Sequence, residues 1–379
     1  MATALVLLGR PTSRSPWAWL TLLAALGIAA TTPDAAFFRG RDGKARRVQP
    51  QTVIRGPGEL TAIYTLATPT DPETRLHQSG YSPVNLDPDR GLRAESTVGA
   101  LGVMHAPRRA RAMVLGAGSG RTAGFVATAF EHTDVVDVGA TVPPLLQVLR
   151  EHNYALPDNP RARYHEIDGI LAPHLLPPDS YDLIVHTLHP GYVDRAAKLY
   201  TEEYLRALRG LLRPDGVLVT WADVSLSAEA NRVYQATVAA VFPRTALYAV
   251  RPERWDYSYY VLVSSAEELV ANLDAFSGTE LATDPAVVEL SSVPLHERLL
   301  PPMPPSSRTH RFDRPSMALL TGGFAVHELA PCRGECTTND RLEEIQPCGP
   351  DRAWRRSKRR VCTRECTWGP WSAWSECAP

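Results

Sequence analysis

The stretch from Arg111 to Val138, RAMVLGAGSGRTAGFVATAFEHTDVVDV, constrains the fold more than any other part of the chain. A short apolar strand over residues 112–115 runs directly into Gly116-Ala-Gly118-Ser-Gly120; a helix is predicted over 122–130 and a second strand over 134–138. Glycines at such a turn let the backbone approach a ligand, and the helix N-terminus offers it N–H groups with no partner in the helix. A turn that needs glycine only for tight packing would read the same, so the loop alone names no ligand.

The alternation continues downstream. Helical periodicity covers 142–152, strands are predicted at 163–168 and 181–187, and a helix over 200–213 places Tyr204, Leu205, Leu208, Leu211 and Leu212 on one face before Pro214-Asp-Gly216 stops it. The strand GVLVTWAD follows, then a helix capped by Ser227 and ending near Phe242, then closing strands at 245–250 and 257–264. Such alternation implies a parallel sheet covered by helices on both faces, with an antiparallel pair at one edge and any ligand above the C-terminal strand ends. Short strands at 60–66 and around 76–84 predict a small β-unit before it.

Two acids sharpen the ligand reading. Asp137 ends the second strand, where a carboxylate can accept both hydroxyls of a ribose, and Asp168 ends the third, where it can accept from an adenine amino group or a held water. Asp168-Gly169 also suits an ordinary turn. A nicotinamide dinucleotide competes, because Gly118-Ser-Gly120-Arg-Thr-Ala123 fits G-x-G-x-x-A. The antiparallel closing pair and the acid after the third strand suit an S-adenosylmethionine type of ligand better.

The 379 residues carry 40 basic and 41 acidic side chains, a balance that gives no reason to expect nucleic acid. Trp17 to Ala30 is uncharged and follows Arg10 and Arg14, as in a signal peptide or the tail of a membrane helix; a buried globular helix is the alternative. All six cysteines fall at 332, 336, 348, 362, 366 and 377, behind the proline-rich stretch 291–315. The chain is therefore divided into an N-terminal segment (1–52), a body (53–277), a linker region (278–330) and a cysteine-rich tail (331–379).

The order of motifs RLHQSGYSPVNLDPD, RAMVLGAGSG, DVVDV, YHEIDGIL, YDLIVHTLHP and KLYTEEYLRALRGLLRPDGVLVTWAD resembles the spermidine synthase family over roughly residues 55–265. Within it the chain looks like a bacterial branch in which the domain follows membrane helices. The resemblance implies an α/β class I methyltransferase (Rossmann-like) fold with a seven-stranded sheet, binding decarboxylated S-adenosylmethionine or S-adenosylmethionine as a substrate. It makes Gly116, Gly118, Ser119 and Gly120 the loop around the methionine moiety, Asp137 the ribose acid and Asp168 the adenine-side acid, with Gln78 near the nucleoside.

The departures are chemical. Ser119 stands where an aminopropyltransferase loop has an aspartate, the tyrosine-histidine pair expected before the first sheet strand falls at Ala94-Glu95, and the catalytic aspartate falls at His186-Thr187. A polyamine is an ammonium at neutral pH and must lose a proton before it attacks the carbon next to a sulfonium. Neither His186 nor Thr187 binds that cation through charge, although a neutral His186 or His189 could act as base; ordinary loop histidines are the alternative. On this reading an aspartate at Thr187 is expected to restore some transfer. His165, His174, His186 and His189 lack a recognised zinc spacing, and no metal is expected.

In the tail, Trp368, Trp371 and Trp374 recur every three residues near arginines, which resembles a thrombospondin type 1 module. Six cysteines in a short basic segment favour three disulfides in an exported compartment, with a cytosolic metal site as the alternative. An exported tail and a cytosolic substrate pull apart. Two functions remain in view: aminopropyl or methyl transfer with impaired polyamine chemistry, and a non-catalytic, membrane-associated or exported binding protein that keeps the fold. The expected partners are a small nucleoside-sulfonium ligand and, through the N-terminal segment, a membrane; a homodimer is compatible with either function.

Overall fold

The computed structural model describes residues 49–56, 59–66, 73–78, 81–88, 91–188, 197–222, 228–250, 259–292, 299–300, 306, 308–313, 341–348 and 354–361. The apolar stretch Trp17 to Ala30, the cap Ser227, His189 and the tail tryptophans lie outside them, as do the side chains of all six cysteines. Among the described residues no helix is long and apolar enough to cross a membrane.

The chain opens with four antiparallel strands, β1 (Gln49–Gly56), β2 (Glu59–Leu66), β3 (Glu73–Gln78) and β4 (Tyr81–Asn85), paired in sequence order. Next comes α1 (Gly91–His105), and then the alternation begins: β5 (Arg111–Leu115), α2 (Arg121–Ala129), β6 (His132–Asp137), α3 (Val142–Val148), β7 (Ala162–Glu166), α4 (Ala172–Leu175) and β8 (Tyr181–His186). It closes with α5 (Glu202–Leu211), β9 (Leu212–Ala222), α6 (Ala228–Ala239), β10 (Arg244–Val250), β11 (Tyr259–Ser265), α7 (Pro285–Ser292) and the two-residue β12 (Leu299–Leu300).

These strands form one sheet in the order β12-β10-β11-β9-β8-β5-β6-β7. The pairs β5–β6, β6–β7, β5–β8 and β8–β9 are parallel, whereas β11 inserts antiparallel between β9 and β10. Seven long strands with this order make a Rossmann-like methyltransferase fold, with β12 as a short addition at the edge. The chain runs outward from β5 to β7 on one side and from β8 to β9 on the other, so a crevice opens above the C-terminal ends of β5 and β8.

Alternate strand residues build the core. Ala112, Val114, Leu183, Val185, Val217 and Val219 belong to one buried cluster with Leu101 and Met104 of α1 and with Phe125 and Val126 of α2. Phe276, Leu281, Val287 and Leu290 join the same cluster, so the body extends past residue 277 into the stretch read as linker. The chain divides into two compact units after residue 318. In the second, β13 (Arg341–Cys348) and β14 (Trp354–Val361) form an antiparallel hairpin with Glu343 opposite Arg359 and Glu344 opposite Lys358.

Several elements differ from expectation for identifiable reasons. The helix predicted over 142–152 stops at Val148, because the side chain of Asn153 donates to the Leu146 carbonyl at 2.9 Å and replaces a helical N–H there. Helix α5 begins only after Thr201, whose hydroxyl accepts from the backbone N–H of Tyr204 at 3.3 Å. The turn at Pro214 to Gly216 does not separate helix from strand but interrupts β9, whose register against β8 jumps from Leu212 opposite Tyr181 to Val217 opposite Leu183. Helix α1 has no counterpart in the sequence reading, since 13 of its 15 residues are buried and no polar stripe marks a period.

Candidate functional site

Between β5 and α2, three backbone positions in the turn lie in the left-handed region: Gly116 (φ 88°), Gly118 (φ 51°) and Gly120 (φ 83°). At Gly120 a Cβ would come within 2.5 Å of Leu146, so this glycine is required by conformation and by close packing. At Gly118 a Cβ would meet nothing within 4 Å, so the backbone here borders open space.

Asp137 ends β6 beside this loop. Its Oδ2 accepts the backbone N–H of Ala117 at 2.8 Å and its Oδ1 accepts that of Gly139 at 2.9 Å, which fixes the carboxylate to the glycine turn. Val138, the next residue, is 62% exposed and presents an apolar side chain at the same strand end. Asp168 lies two residues past β7, exposed; its carboxylate accepts the backbone N–H of Ile170 at 3.0 Å as a turn residue. Gln78 ends β3 with its backbone paired to Thr61 and Tyr81, in the separate small sheet.

Ser119 is buried within the loop, and its hydroxyl donates to Oε2 of Glu95 on α1 while accepting the backbone N–H of Arg121 at 3.1 Å. Burial pushes the Glu95 carboxyl up to about 7, against the opposing pull of the Ser119 hydrogen bond and the Arg121 charge. In the sequence Glu95 stands out only as a departure from a family pattern. The signal that could have marked it is a lone acid in an otherwise apolar and small-residue stretch before the first parallel strand.

Arg121, the first residue of α2, is fully engaged. It donates to Ser96 Oγ at 2.7 Å, to the His152 carbonyl at 3.1 Å and to Asp284 at 3.1 Å, and its guanidinium lies 4.0 Å from the ring centroid of Tyr154. Tyr154 also donates to Asp284, and desolvation raises its phenol above the ordinary range. The start of α2 is thus tied to the segment that leads into α7.

At the end of β8 the two residues proposed for chemistry point in different directions. Thr187 donates its hydroxyl to the Leu115 and Gly116 carbonyls at 3.0 and 2.8 Å, bracing the glycine turn. His186 is 1% exposed, its ring edge-on to Tyr200 at 4.8 Å between centroids, and neither ring nitrogen has a hydrogen-bond partner. Burial pushes the imidazole down to about 4, an effect that the nearby carbonyls of His186 itself and Leu199 only partly offset. Of the remaining histidines, His165 is occupied with Asp134 at 2.6 Å, and among the described residues no group of three His, Cys, Asp or Glu side chains is placed to hold a metal ion.

The structure therefore brings Gly116, Gly118, Ser119, Gly120 and Asp137 together and sets Thr187 against the loop, while His186 is buried among tyrosines; Asp168 holds the turn after β7, and Gln78 pairs with Thr61, whose hydroxyl bonds Thr141 just past the end of β6 at 2.8 Å.

No family model matches the chain. A crystal structure of spermidine synthase in complex with the transition state analogue AdoDATO aligns with 58% of this chain and 74% of its own at 16% identity, with a TM-score of 0.49. In sequence, the chain is 26% identical over 265 residues to a polyamine aminopropyltransferase of Aeropyrum pernix, covering 66% of this chain and 76% of that one. It is 30% identical to polyamine aminopropyltransferase 1 of Hyperthermus butylicus over 38% of this chain, and spans about half, 52%, of that relative's length. With the polyamine aminopropyltransferase of Pyrobaculum arsenaticum the identity is 31% over 204 residues, 49% of this chain and 71% of the relative, and on that match the chain belongs to the spermidine synthase-like, polyamine aminopropyltransferase family.

Proposed function

We propose that the body binds an S-adenosyl donor, decarboxylated S-adenosylmethionine or S-adenosylmethionine, in the crevice above the C-terminal ends of β5 and β8, beside the end of β6, and that its polyamine chemistry is impaired. The observation that carries the binding half is the Asp137 carboxylate, anchored to the Ala117 N–H beside a turn of three left-handed glycines. A carboxylate at this strand end is the type of group that accepts from ribose hydroxyls. The exposed Val138 supplies an apolar surface for a base at the same strand end.

Transfer to an amine would form a C–N bond, break the C–S bond with its electron pair passing to sulfur, and release one proton from the attacking nitrogen. That proton needs an acceptor near the crevice. Thr187 spends its hydroxyl on two carbonyls, and His186 is buried among tyrosines with its basicity reduced by desolvation. These two residues favour the second reading, a protein that binds the donor with little or no turnover.

Titration calorimetry of the full chain with S-adenosylmethionine, its decarboxylated form and methylthioadenosine tests binding. An assay with putrescine then tests transfer. Binding with turnover roughly 10²–10⁴-fold below an ordinary rate of about 1–10 per second is expected, the loss associated with a missing acid/base group. No binding of any of the three, or ordinary turnover with putrescine, overturns the reading.

A further inference from the structure

Glu95 is a half-buried carboxylate with no ion pair among the described residues. Its Oε2 takes the Ser119 hydroxyl, and Oε1 has no protein partner among those residues. Arg121 acts on it only through space, since that guanidinium's hydrogen bonds run to Ser96, His152 and Asp284. A carboxylate in this position sits beside the ligand loop without a hydrogen-bonded ion-pair partner, although desolvation makes an unpaired charge costly. Both forms of the S-adenosyl donor carry a primary ammonium on the chain attached to sulfur, and that group would supply a directly paired positive charge.

We propose that Glu95 is the residue that holds the ammonium end of the bound donor, and that capture of the donor is coupled to loss of a proton from Glu95; this rests on the donor reading above. Two groups face Glu95 from the elements packed against α1: Ser119 from the loop and Arg121 from α2, the latter balanced by Asp284 and Tyr154. With its carboxyl pushed up to about 7, Glu95 is partly protonated at neutral pH in the empty site. An arriving ammonium favours the ionised form, so binding expels the proton.

The decarboxylated donor, whose only charges are positive, gains most. In S-adenosylmethionine the carboxylate on the same carbon as the ammonium would lie near Glu95 and reduce the gain. Glu95 thereby sets a preference between the two donors as well as anchoring one end of them.

The test uses the full chain and three ligands that share the adenosyl group: decarboxylated S-adenosylmethionine, S-adenosylmethionine and methylthioadenosine, which has no amine. Calorimetry at pH 7 in two buffers of different ionisation enthalpy should show release of on the order of half a proton with the decarboxylated donor and none with methylthioadenosine. In Glu95→Gln the affinity for the decarboxylated donor should fall by about tenfold or more while that for methylthioadenosine stays within about threefold, and the proton release should vanish. The proton count in the parent protein needs no variant, so it decides the matter even where Glu95→Gln does not fold. Intact binding of methylthioadenosine with no amine-linked proton release, or with undiminished preference for the amine in the variant, overturns the assignment of Glu95 alone. Failure of the parent to bind any of the three overturns the donor reading and this proposal together.

Discussion

The carboxylate of Asp137 accepts the backbone N–H of Ala117 at 2.8 Å, so the acid at the end of β6 and the glycine turn after β5 form one hydrogen-bonded unit. Removing that acid should therefore act on the ligand directly and on the loop that receives it. Asp137→Ala is expected to weaken methylthioadenosine binding by about 1.5–3 kcal/mol, the scale of charge-assisted hydrogen bonds. Calorimetry on parent and variant checks this, and equal affinities would separate Asp137 from the ligand.

The three left-handed glycines should not respond alike. Gly118→Ala incurs only the cost of a left-handed residue, about 1–2 kcal/mol, because its Cβ would project into open space. Gly120→Ala adds a 2.5 Å approach to Leu146 and a 3.0 Å approach to Asn153. Urea unfolding should rank Gly120→Ala well below Gly118→Ala in stability, and a reversed order would contradict the packing described for the loop.

Thr187→Asp should fail to restore polyamine transfer on its own, contrary to what the motif comparison suggests. Its hydroxyl donates to the Leu115 and Gly116 carbonyls, and an ionised aspartate there would face both oxygens with no proton to offer. The variant should lose about 1–3 kcal/mol of stability and bind donor more weakly, whereas Thr187→Ser should keep both. A gain in spermidine formation with putrescine in Thr187→Asp would overturn this.

His186 and Glu95 should shape the pH dependence of stability with opposite sign. The His186 imidazole falls from 6.5 to about 4 on folding, so its contribution is present above pH 6.5 and is lost as pH falls through about 4. The Glu95 carboxyl rises from 4.5 to about 7, so its contribution is full below pH 4.5 and is lost as pH rises through about 7. His186→Phe should remove the acid-side loss and, by replacing two unpartnered ring nitrogens with carbon, raise stability by about 1–3 kcal/mol. Unfolding curves from pH 4 to 8 on the parent, His186→Phe and Glu95→Gln would show whether each variant flattens its own side of the profile.

For the cysteine-rich tail we expect three disulfides, each worth roughly 2–4 kcal/mol in a segment with few aliphatic residues. Mass spectrometry of protein whose free thiols are blocked at harvest measures this directly. Six alkylated cysteines, or stoichiometric zinc, would reject the exported tail. Reduction should leave the body's unfolding transition unchanged, since no cysteine lies before residue 332.

The alternation of strands and helices, the glycine turn and its acid are all legible along the chain. Those features are written in local patterns: a period of two or near four, glycine where a side chain cannot fit, and a carboxylate at a strand end. Helix α1 was not legible, because 13 of its 15 residues are buried and a helix covered nearly all round carries no amphipathic stripe. With it went Glu95, whose place beside Ser119 joins positions 24 residues apart and depends on how α1 packs against α2. The link from Arg121 to Asp284, 163 residues apart, is likewise invisible until the sheet is closed. His186 shows the same limit from the other side: its identity reads as a base, but only the tyrosines folded around it decide that its ring is dry and weakly basic. Backbone conformation follows from neighbours along the chain, whereas the charge state and reach of a side chain follow from burial, which the sequence states only after the whole chain has packed.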